Sequence, residues 1–201
     1  MVNKFTGEKS STQQGLQNCL DQFKDFTGGI RVLFLLYRGK DGGDKTDEDQ
    51  RTFATRVSFN EKEFAKNLKE LWALQELFYP ECRIYLSVNA RNLKKSIFTL
   101  KKELLFAETY DETGRQKLFE RIAKSSRHIL MQPSSAETSY FIFDIDQENI
   151  SQELPEINSL TETLLIYKTK NGWHIVTKPF NPALYKGVGE IKKDGLLLLK
   201  Y

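Results

Sequence analysis

Asn171-Gly172 separates two β-type segments in the C-terminal part of the chain. Residues 164–170 and 173–177 are rich in β-branched and aromatic side chains, which favour strands. Asn-Gly between two such segments is the strongest short-range signal for an antiparallel hairpin. The C-terminal part of the chain is therefore expected to contain an antiparallel sheet.

The expected hairpin also predicts which side chains are neighbours. A two-residue turn puts Lys170 opposite Trp173 and Thr169 opposite His174. Residues directly opposite each other in an antiparallel pair point to the same face of the sheet. We therefore expect a hydroxyl and an imidazole side by side on one face, with the Lys170 ammonium close by.

A second β-type segment, residues 139–146, ends in two carboxylates. Its sequence is Ser-Tyr-Phe-Ile-Phe-Asp-Ile-Asp, and it is aromatic and β-branched up to Asp144 and Asp146. Residues i and i+2 of a strand share a face, so the two aspartates are expected to project side by side. Two buried like charges are unfavourable in a core. The pair fits a strand end at which divalent cations lie between the carboxylates.

The composition predicts an ordinary soluble, cytoplasmic protein. The chain has 201 residues, of which 39% are hydrophobic and 28% charged, enough for one domain or two small lobes. No apolar run approaches the roughly 18 residues that a membrane helix needs, so no membrane contact is expected. Residues 1–7 lack the apolar core of a signal peptide. Cys19 and Cys82 are far apart and predict reduced structural thiols and no zinc site.

Charge is distributed unevenly in the C-terminal part of the chain. Residues 144–167 contain six acidic side chains and no Lys or Arg, whereas residues 165–201 contain seven Lys and two acidic side chains. An acidic segment next to a basic one suits a site that handles metal ions and phosphates, although two solvated faces explain the same pattern. The net charge of +3 is too small to indicate nucleic-acid binding by itself.

The N-terminal part alternates between predicted helices and strands. Helices are predicted at residues 11–26, 60–79, from 92 onward and at 111–130, and strands at 30–37, 51–59 and 82–88. The helix after Asn92 has leucines and Ile97 on one side and lysines on the other. Arg91, at the junction of strand and helix, and Lys94 are candidate nucleic-acid contacts, against the alternative of a solvated helix face.

These elements together predict an α/β or α+β fold, a two-lobed sandwich with a mixed sheet. The expected lobes are an N-terminal α/β lobe at about residues 11–132 and a β-rich C-terminal lobe at about residues 133–201. Residues 191–199 are expected to form a strand or a second hairpin that turns at Asp194-Gly195.

The aspartate strand and the later hairpin occur together in one known family. Phe143-Asp144-Ile145-Asp146, followed by Thr-Lys-Asn-Gly-Trp-His at residues 169–174, resembles the archaeo-eukaryotic primase superfamily. That superfamily includes primase-polymerases, many of them carried by phages and plasmids. Its hhhDhD strand supplies metal-binding aspartates, and its S-x-x-G-x-H motif contacts the phosphates of the incoming nucleotide. The resemblance is specific over about residues 138–178.

The resemblance implies a primase-like catalytic core with an RRM-like C-terminal lobe, which joins nucleotides on a single-stranded DNA or RNA template. Its partners would be nucleoside triphosphates, the template and other replication proteins. Asp144, Asp146 and His174 would be catalytic, and the two aspartates would hold Mg²⁺ or Mn²⁺. Asp194 is the late candidate for a third metal ligand. The phosphate contacts would be Thr169, Lys170, His174 and Lys178.

Four other readings of the same residues stay open. A phosphohydrolase of the haloacid dehalogenase type has an Asp-x-Asp strand, but here Glu148 stands where that motif has Thr or Val. Residues 192–195, Lys-Lys-Asp-Gly, match the KxDG motif of covalent nucleotidyltransferases, but only six residues follow. A non-catalytic module with a primase-like fold would bind nucleic acid or a replication protein. In the fourth interpretation, Asp144 and Asp146 have no chemical role and only form ion pairs with lysines that stabilise the fold.

Overall fold

The computed structural model describes residues 26, 29–38, 51–106, 109, 111–169 and 171–200. The helix predicted at residues 11–26 lies outside this part except for Phe26, and so do Cys19 and Lys170. Within it are eight strands: β1 (Arg31–Tyr37), β2 (Arg51–Ser58), β3 (Arg83–Ser87), β4 (Phe141–Ile145), β5 (Thr163–Lys168), β6 (Trp173–Thr177), β7 (Glu190–Lys192) and β8 (Leu196–Lys200). The α-helices in the same residues are α1 (Glu61–Phe78), α2 (Leu93–Phe106), α3 (Glu112–Met131) and α4 (Glu153–Leu160).

The strands form two four-stranded sheets, so the fold is α+β. The first sheet has the order β2-β1-β3-β8 and the second has the order β5-β6-β4-β7. Every strand pair in the described residues is antiparallel, so the expected mixed sheet is not found. The two strands that each helix connects, β2 and β3 through α1 and β4 and β5 through α4, are separated in their sheet by one further strand. β1 lies between β2 and β3, and β6 lies between β4 and β5, so strands of like direction are never neighbours.

One apolar core joins the two sheets. Leu33 and Leu35 of β1 belong to one buried cluster with Phe64, Leu68 and Leu71 of α1 and with Ile142 and Val176 of the second sheet. The opposite face of the first sheet packs against the C-terminal end of α3. The opposite face of the second sheet packs against α4. The face of the second sheet that meets the first sheet therefore carries the even-numbered residues of β4, including Asp144.

Local sequence explains where the helices begin. The Asn60 side chain accepts a hydrogen bond from the Glu63 N–H, so Asn60 caps the start of α1. The Glu63 carboxylate accepts a hydrogen bond from the Phe59 N–H, one residue before the cap, whereas a capping box uses the N–H of the cap residue itself. Asp111 caps α3 in the same way, through the Gly114 N–H. Among the helices in the described ranges, none is long and apolar enough to cross a membrane.

The hairpin between β5 and β6 differs from its predicted register. The structure pairs Lys168 with Trp173 and Tyr167 with His174, so the connection is the four residues 169–172. A two-residue Asn-Gly turn needs a positive φ at the glycine, and Gly172 does not have one. The prediction that Thr169 lies opposite His174 is therefore wrong. Because the register differs by two residues, Tyr167 still shares the face of His174.

The C-terminal strands β7 and β8 belong to different sheets. β7 pairs with β4 of the second sheet, whereas β8 pairs with β3 of the first. Asp194-Gly195 is thus the passage from one sheet to the other and not a hairpin turn. The last strand of the expected C-terminal lobe, β8, is therefore part of the first sheet. Its residues Leu197 and Leu199 lie in the core that the two sheets share.

Candidate functional site

The candidate site is a row of polar side chains across the second sheet. On β4, Asp144 pairs with His174 of β6 on one side and with Glu190 of β7 on the other. Directly opposite residues share a face, so these three side chains lie next to one another on the face that meets the first sheet. The side chains of Asp144 and His174 are 25% and 13% exposed, so the row is shielded but reachable from solvent.

His174 is held from both ends of its ring. Its Nε2 lies 3.2 Å from Asp144 Oδ1, and its Nδ1 lies 2.7 Å from the Tyr167 hydroxyl. That hydroxyl also accepts a hydrogen bond of 3.2 Å from the Leu198 N–H of β8. A proton on Nε2 satisfies all three groups at once: Nε2–H donates to Asp144, and Tyr167 donates to Nδ1. The first sheet therefore fixes the orientation of the histidine through Tyr167.

Lys192 of β7 lies between the two carboxylates of the row. Its ammonium contacts Asp144 Oδ2 and lies 3.2 Å from Glu190 Oε2. The hydrogen bond from His174, followed by that from Lys192, holds the pKa of Asp144 far below its usual range, against the effect of partial burial. Partial burial disfavours the Lys192 ammonium, but the two carboxylates outweigh burial and raise the pKa of Lys192. Asp144 is therefore a carboxylate with both oxygens engaged.

Asp146 and the hairpin loop lie just beyond the end of β4. Asp146 is exposed and follows the last strand residue, Ile145. Gly172 packs directly against this end of the strand, since a Cβ there would be 1.9 Å from the Ile145 carbonyl oxygen and 2.9 Å from the Asp146 Cα. The Gly172 N–H also donates to Thr169 Oγ1 over 3.1 Å. Gly172 thus brings the loop to the aspartates by close approach.

Asp194, the predicted third metal ligand, is held elsewhere. The guanidinium of Arg91 binds both of its carboxylate oxygens, at 2.6 and 2.7 Å, and Asn89 donates to Oδ1 over 3.2 Å. Arg91 is fully buried. Both carboxylate oxygens of Asp194 are therefore engaged by Arg91, and the buried guanidinium of Arg91 presents no surface to a nucleic acid. These residues lie 103 positions apart, and no local sequence pattern links them.

Two further residues predicted to contact phosphate or nucleic acid, Lys178 and Lys94, lie away from the row. Lys178 forms an ion pair of 2.6 Å with Glu162, which raises the pKa of Lys178. It is four residues beyond His174 on an extended segment, about 13 Å along the sheet, so it is not part of the row. Lys94, by contrast, is exposed on α2 and has no ion-pair partner within the described residues. Thr169 is half-buried and caps the loop next to the row.

The structure adds three residues that the sequence did not single out for this site: Glu190, Lys192 and Tyr167. One signal for the first two was available, because Glu190-Ile191-Lys192 alternates polar and apolar residues as a strand with one buried face does. Tyr167 lies two residues before Thr169 and so shares its face, but the predicted register puts Thr169, not Tyr167, opposite His174. The pairing of β7 with β4 brings Glu190 next to Asp144. No local sequence pattern predicts this pairing.

The donor atoms are of the kind that Mg²⁺ and Mn²⁺ prefer, but they are not arranged as a metal centre. Carboxylate oxygens suit these hard cations. Throughout the described ranges, no group of three or more His, Cys, Asp or Glu side chains is assembled to hold a metal ion. The ammonium of Lys192 stands between two carboxylates, so the site accommodates a positive charge there.

Fold and site together define an α+β protein with a carboxylate–histidine row at the junction of two antiparallel sheets. Comparison with known proteins gave no match: no family model, no curated protein and no solved structure is significantly similar to this chain.

Proposed function

We propose that this protein is a metal-dependent nucleotidyltransferase of the primase-polymerase type, which joins nucleotides on a nucleic-acid template. The observation that carries the proposal is the row of Asp144, His174 and Glu190 on three adjacent strands, with exposed Asp146 just beyond it. The resemblance supplies two of the carboxylates and the histidine, and β7 supplies a third carboxylate that replaces Asp194. The strand order β5-β6-β4-β7, with α4 between β4 and β5, supports the RRM-like lobe that the resemblance implies.

Each side chain of the row has a role that its surroundings support. Asp144, Asp146 and Glu190 would hold Mg²⁺ or Mn²⁺, which when bound neutralise the triphosphate and activate the attacking hydroxyl. His174 presents an Nε2–H, which Tyr167 keeps oriented toward the row and which would donate to a phosphate oxygen. The loop around Thr169 would border the triphosphate, since Gly172 packs it against the end of β4.

Helix α2 offers a surface for the template. Phe98 is 64% exposed, and the Lys102 ammonium lies 5.8 Å from the centre of its ring. Lys94 and Lys101, seven residues apart, flank the same side of the helix. Lysines that alternate with an exposed aromatic ring suit a single strand, because phosphates contact the ammonium groups while a base stacks on the ring.

Template-directed extension tests the proposal directly. A primed single-stranded DNA or RNA template, Mn²⁺ or Mg²⁺ and labelled nucleotides should give extended product. Asp144→Asn, Asp146→Asn and Glu190→Gln should each lower the rate at least about a hundredfold, because each removes a charge that faces the metal and triphosphate. Glu148→Gln is the matched control, since Glu148 is an exposed carboxylate outside the row and its loss should leave extension unchanged. Absence of product with every template and metal would contradict the proposal.

One observation favours a second candidate, a non-catalytic module that binds nucleic acid or a replication protein. Both oxygens of Asp144 are engaged, by His174 and Lys192, as in a structural network. This candidate predicts no extension product, together with salt-dependent binding of single-stranded DNA that survives Asp144→Asn and is lost when Lys94, Lys101 and Lys102 become Glu. A phosphohydrolase would instead turn over a generic phosphate monoester, and inertness toward it argues against that reading.

The proposal also implies a reducing, cytoplasmic setting. Cys82 is a free and buried thiol, and burial, with the nearby charge of Glu81, raises its pKa to about 11. A thiol of this kind is inert, which suits a structural side chain in a compartment where disulfides do not form.

A further inference from the structure

The feature that carries a further inference is the segment from Tyr185 to Gly189, which leads into β7. The Tyr185 hydroxyl donates a hydrogen bond to Glu153 Oε2 in the first turn of α4 and accepts one of 3.1 Å from the Gly189 N–H. Glu153 is only 8% exposed. A buried carboxylate is unfavourable unless hydrogen bonds replace its lost hydration, so the bond from Tyr185 compensates part of the cost of burying Glu153.

The backbone of this segment closes over the Tyr185–Glu153 pair. A Cβ at Gly187 would overlap both Glu153 Oε2 and the Tyr185 hydroxyl oxygen. A Cβ at Gly189 would lie 3.0 Å from the same hydroxyl and 2.8 Å from Ile145 Cγ1. The two glycines therefore let the chain pass close to the pair and to the end of β4.

Two further contacts hold the segment in place. Glu156 Oε1 of α4 accepts a hydrogen bond of 2.7 Å from the Lys186 N–H. The Tyr185 ring packs edge-on against Phe143 of β4, with 4.9 Å between the ring centres. Burial, followed by the hydrogen bond to Glu153, raises the pKa of Tyr185 to about 12, so the hydroxyl keeps its proton at neutral pH. Tyr185 thus joins α4, β4 and the start of β7.

Strand β7 itself is weakly held. It is three residues long, lies at the edge of the second sheet and, among the described strands, pairs with β4 alone. Its first and last residues, Glu190 and Lys192, are the ones that lie beside Asp144. A short edge strand opens more readily than a central strand. The contacts just before β7 therefore matter for keeping Glu190 and Lys192 in place.

We propose that Tyr185 is a positioning residue, whose hydroxyl fixes the start of β7 and so keeps Glu190 and Lys192 beside Asp144. Tyr185 packs with Phe143 on the α4 side of the sheet, away from the row, so it acts through β7 and not by contact with the row. The catalytic part of this inference rests on the proposed function, because the row that β7 completes is the proposed site.

Relaxation-dispersion NMR of the backbone amides tests the positioning without an activity assay. Tyr185→Phe keeps the ring and removes only the hydroxyl, so two hydrogen bonds are lost. The open population of β7 should rise about tenfold, whereas β6, which pairs with the same strand β4, should stay as in the wild type. Unchanged motion in β7, or an equal change in β6, would overturn the inference.

Substitutions of Glu153 separate the hydrogen bond from a general loss of packing. Glu153→Gln keeps an oxygen that accepts from Tyr185 and should leave β7 close to the wild type, whereas Glu153→Met has no such acceptor and should loosen β7. Tyr79→Phe, just after α1, is the matched control and should leave β7 unchanged. Equal loosening by both Glu153 variants would show that the hydrogen bond is not the tie. These two variants also answer the question if Tyr185→Phe fails to fold.

Template-directed extension then tests the catalytic consequence. Tyr185→Phe should lower the extension rate about tenfold, because a small displacement of the charged groups at a site is costly. An unchanged rate in a variant whose β7 has loosened would overturn the catalytic part of the inference. If the wild type itself gives no product, the proposed function fails, whereas the measurements on β7 still decide whether Tyr185 positions the strand.

Discussion

The molecule contains two aspartate-centred ion pairs that are alike in chemistry and opposite in surroundings. Arg91 is fully buried and binds both oxygens of Asp194, whose side chain is 13% exposed. Lys192 is 38% exposed and shares its single ammonium between Asp144 and Glu190. The guanidinium of the first, closed pair is therefore out of contact with solvent, whereas the ammonium of the second, open pair is partly exposed.

The two ion pairs differ in burial and in geometry, so they are suited to different roles. The Arg91 pair ties together three distant segments, because Asn89 also bonds the backbone of Tyr140 and Lys193, and Arg91 donates to the Gln132 carbonyl. Planar, two-point binding inside a protein fixes a single arrangement. A partly exposed lysine that bridges a half-buried and an exposed carboxylate is a weaker contact. The closed pair is expected to stabilise the fold, and the open pair is expected to respond to ligands.

Breaking the closed pair should give the largest change in stability. Arg91→Ala or Asp194→Ala leaves a buried charge without its partner, so each should lower the free energy of unfolding by about 3–5 kcal/mol. Urea denaturation followed by circular dichroism measures the loss. Lys193→Ala, next to Asp194 and exposed, should change stability by less than about 0.5 kcal/mol. A loss below about 1 kcal/mol in both alanine variants would contradict the assigned difference between the pairs.

Moving the loop beside the open pair should have a smaller but still large effect. Gly172→Ala puts a Cβ into the Ile145 carbonyl, so the loop must shift, at a cost of about 2–3 kcal/mol. Extension activity should fall as well, because the shift displaces the backbone at Asp146. Asn171→Ala, the preceding residue in the same loop, is the control for a general loss of loop structure and should be nearly neutral. If Gly172→Ala is as stable as the wild type, the close approach has been misread.

Removing the hydroxyl that links the open pair to the first sheet should cost less. Tyr167→Phe deletes the acceptor of the Leu198 N–H and the partner of His174 Nδ1, which should lower stability by about 1 kcal/mol. The nitrogen chemical shifts of the His174 ring should change at the same time, since its Nδ1 loses a hydrogen bond. Unchanged ring shifts would show that Tyr167 does not orient the histidine.

The smallest expected effect is a pH dependence of the open pair. Asp144 has a lowered pKa, so its contribution is complete above the ordinary carboxyl value of 3.8 and declines as the pH falls below it. Lys192 has a raised pKa, so its contribution is complete below 10.5 and declines as the pH rises above it. Between pH 7 and pH 2.5 the free energy of unfolding should decrease less in Asp144→Asn than in the wild type. The difference between the two decreases should be at most about 1 kcal/mol, measured by urea denaturation at each pH. Parallel profiles would contradict the role of Asp144.

Most of the local structure is predictable from the amino-acid sequence. Strand β1, the capped start of α1, the aspartate-bearing strand and the existence of the β5–β6 hairpin all follow from short-range patterns, because periodicity and capping are properties of neighbouring residues. The hairpin register did not follow. Asn-Gly is a signal for positive φ, but Gly172 meets a different requirement, the close approach of β4.

Which carboxylates lie together depends on contacts between segments that are far apart in the chain. Asp194 follows a lysine in a turn-like context, and nothing near it in sequence reveals Arg91. Glu190 reaches Asp144 because β7 pairs with β4, while β8, four residues later, joins the other sheet. Side-chain chemistry is written in the sequence, but the partners of a charge depend on strand pairing between distant segments. Because of that pairing, Asp194 is bound by the buried Arg91, whereas Asp144 is bound by the partly exposed Lys192.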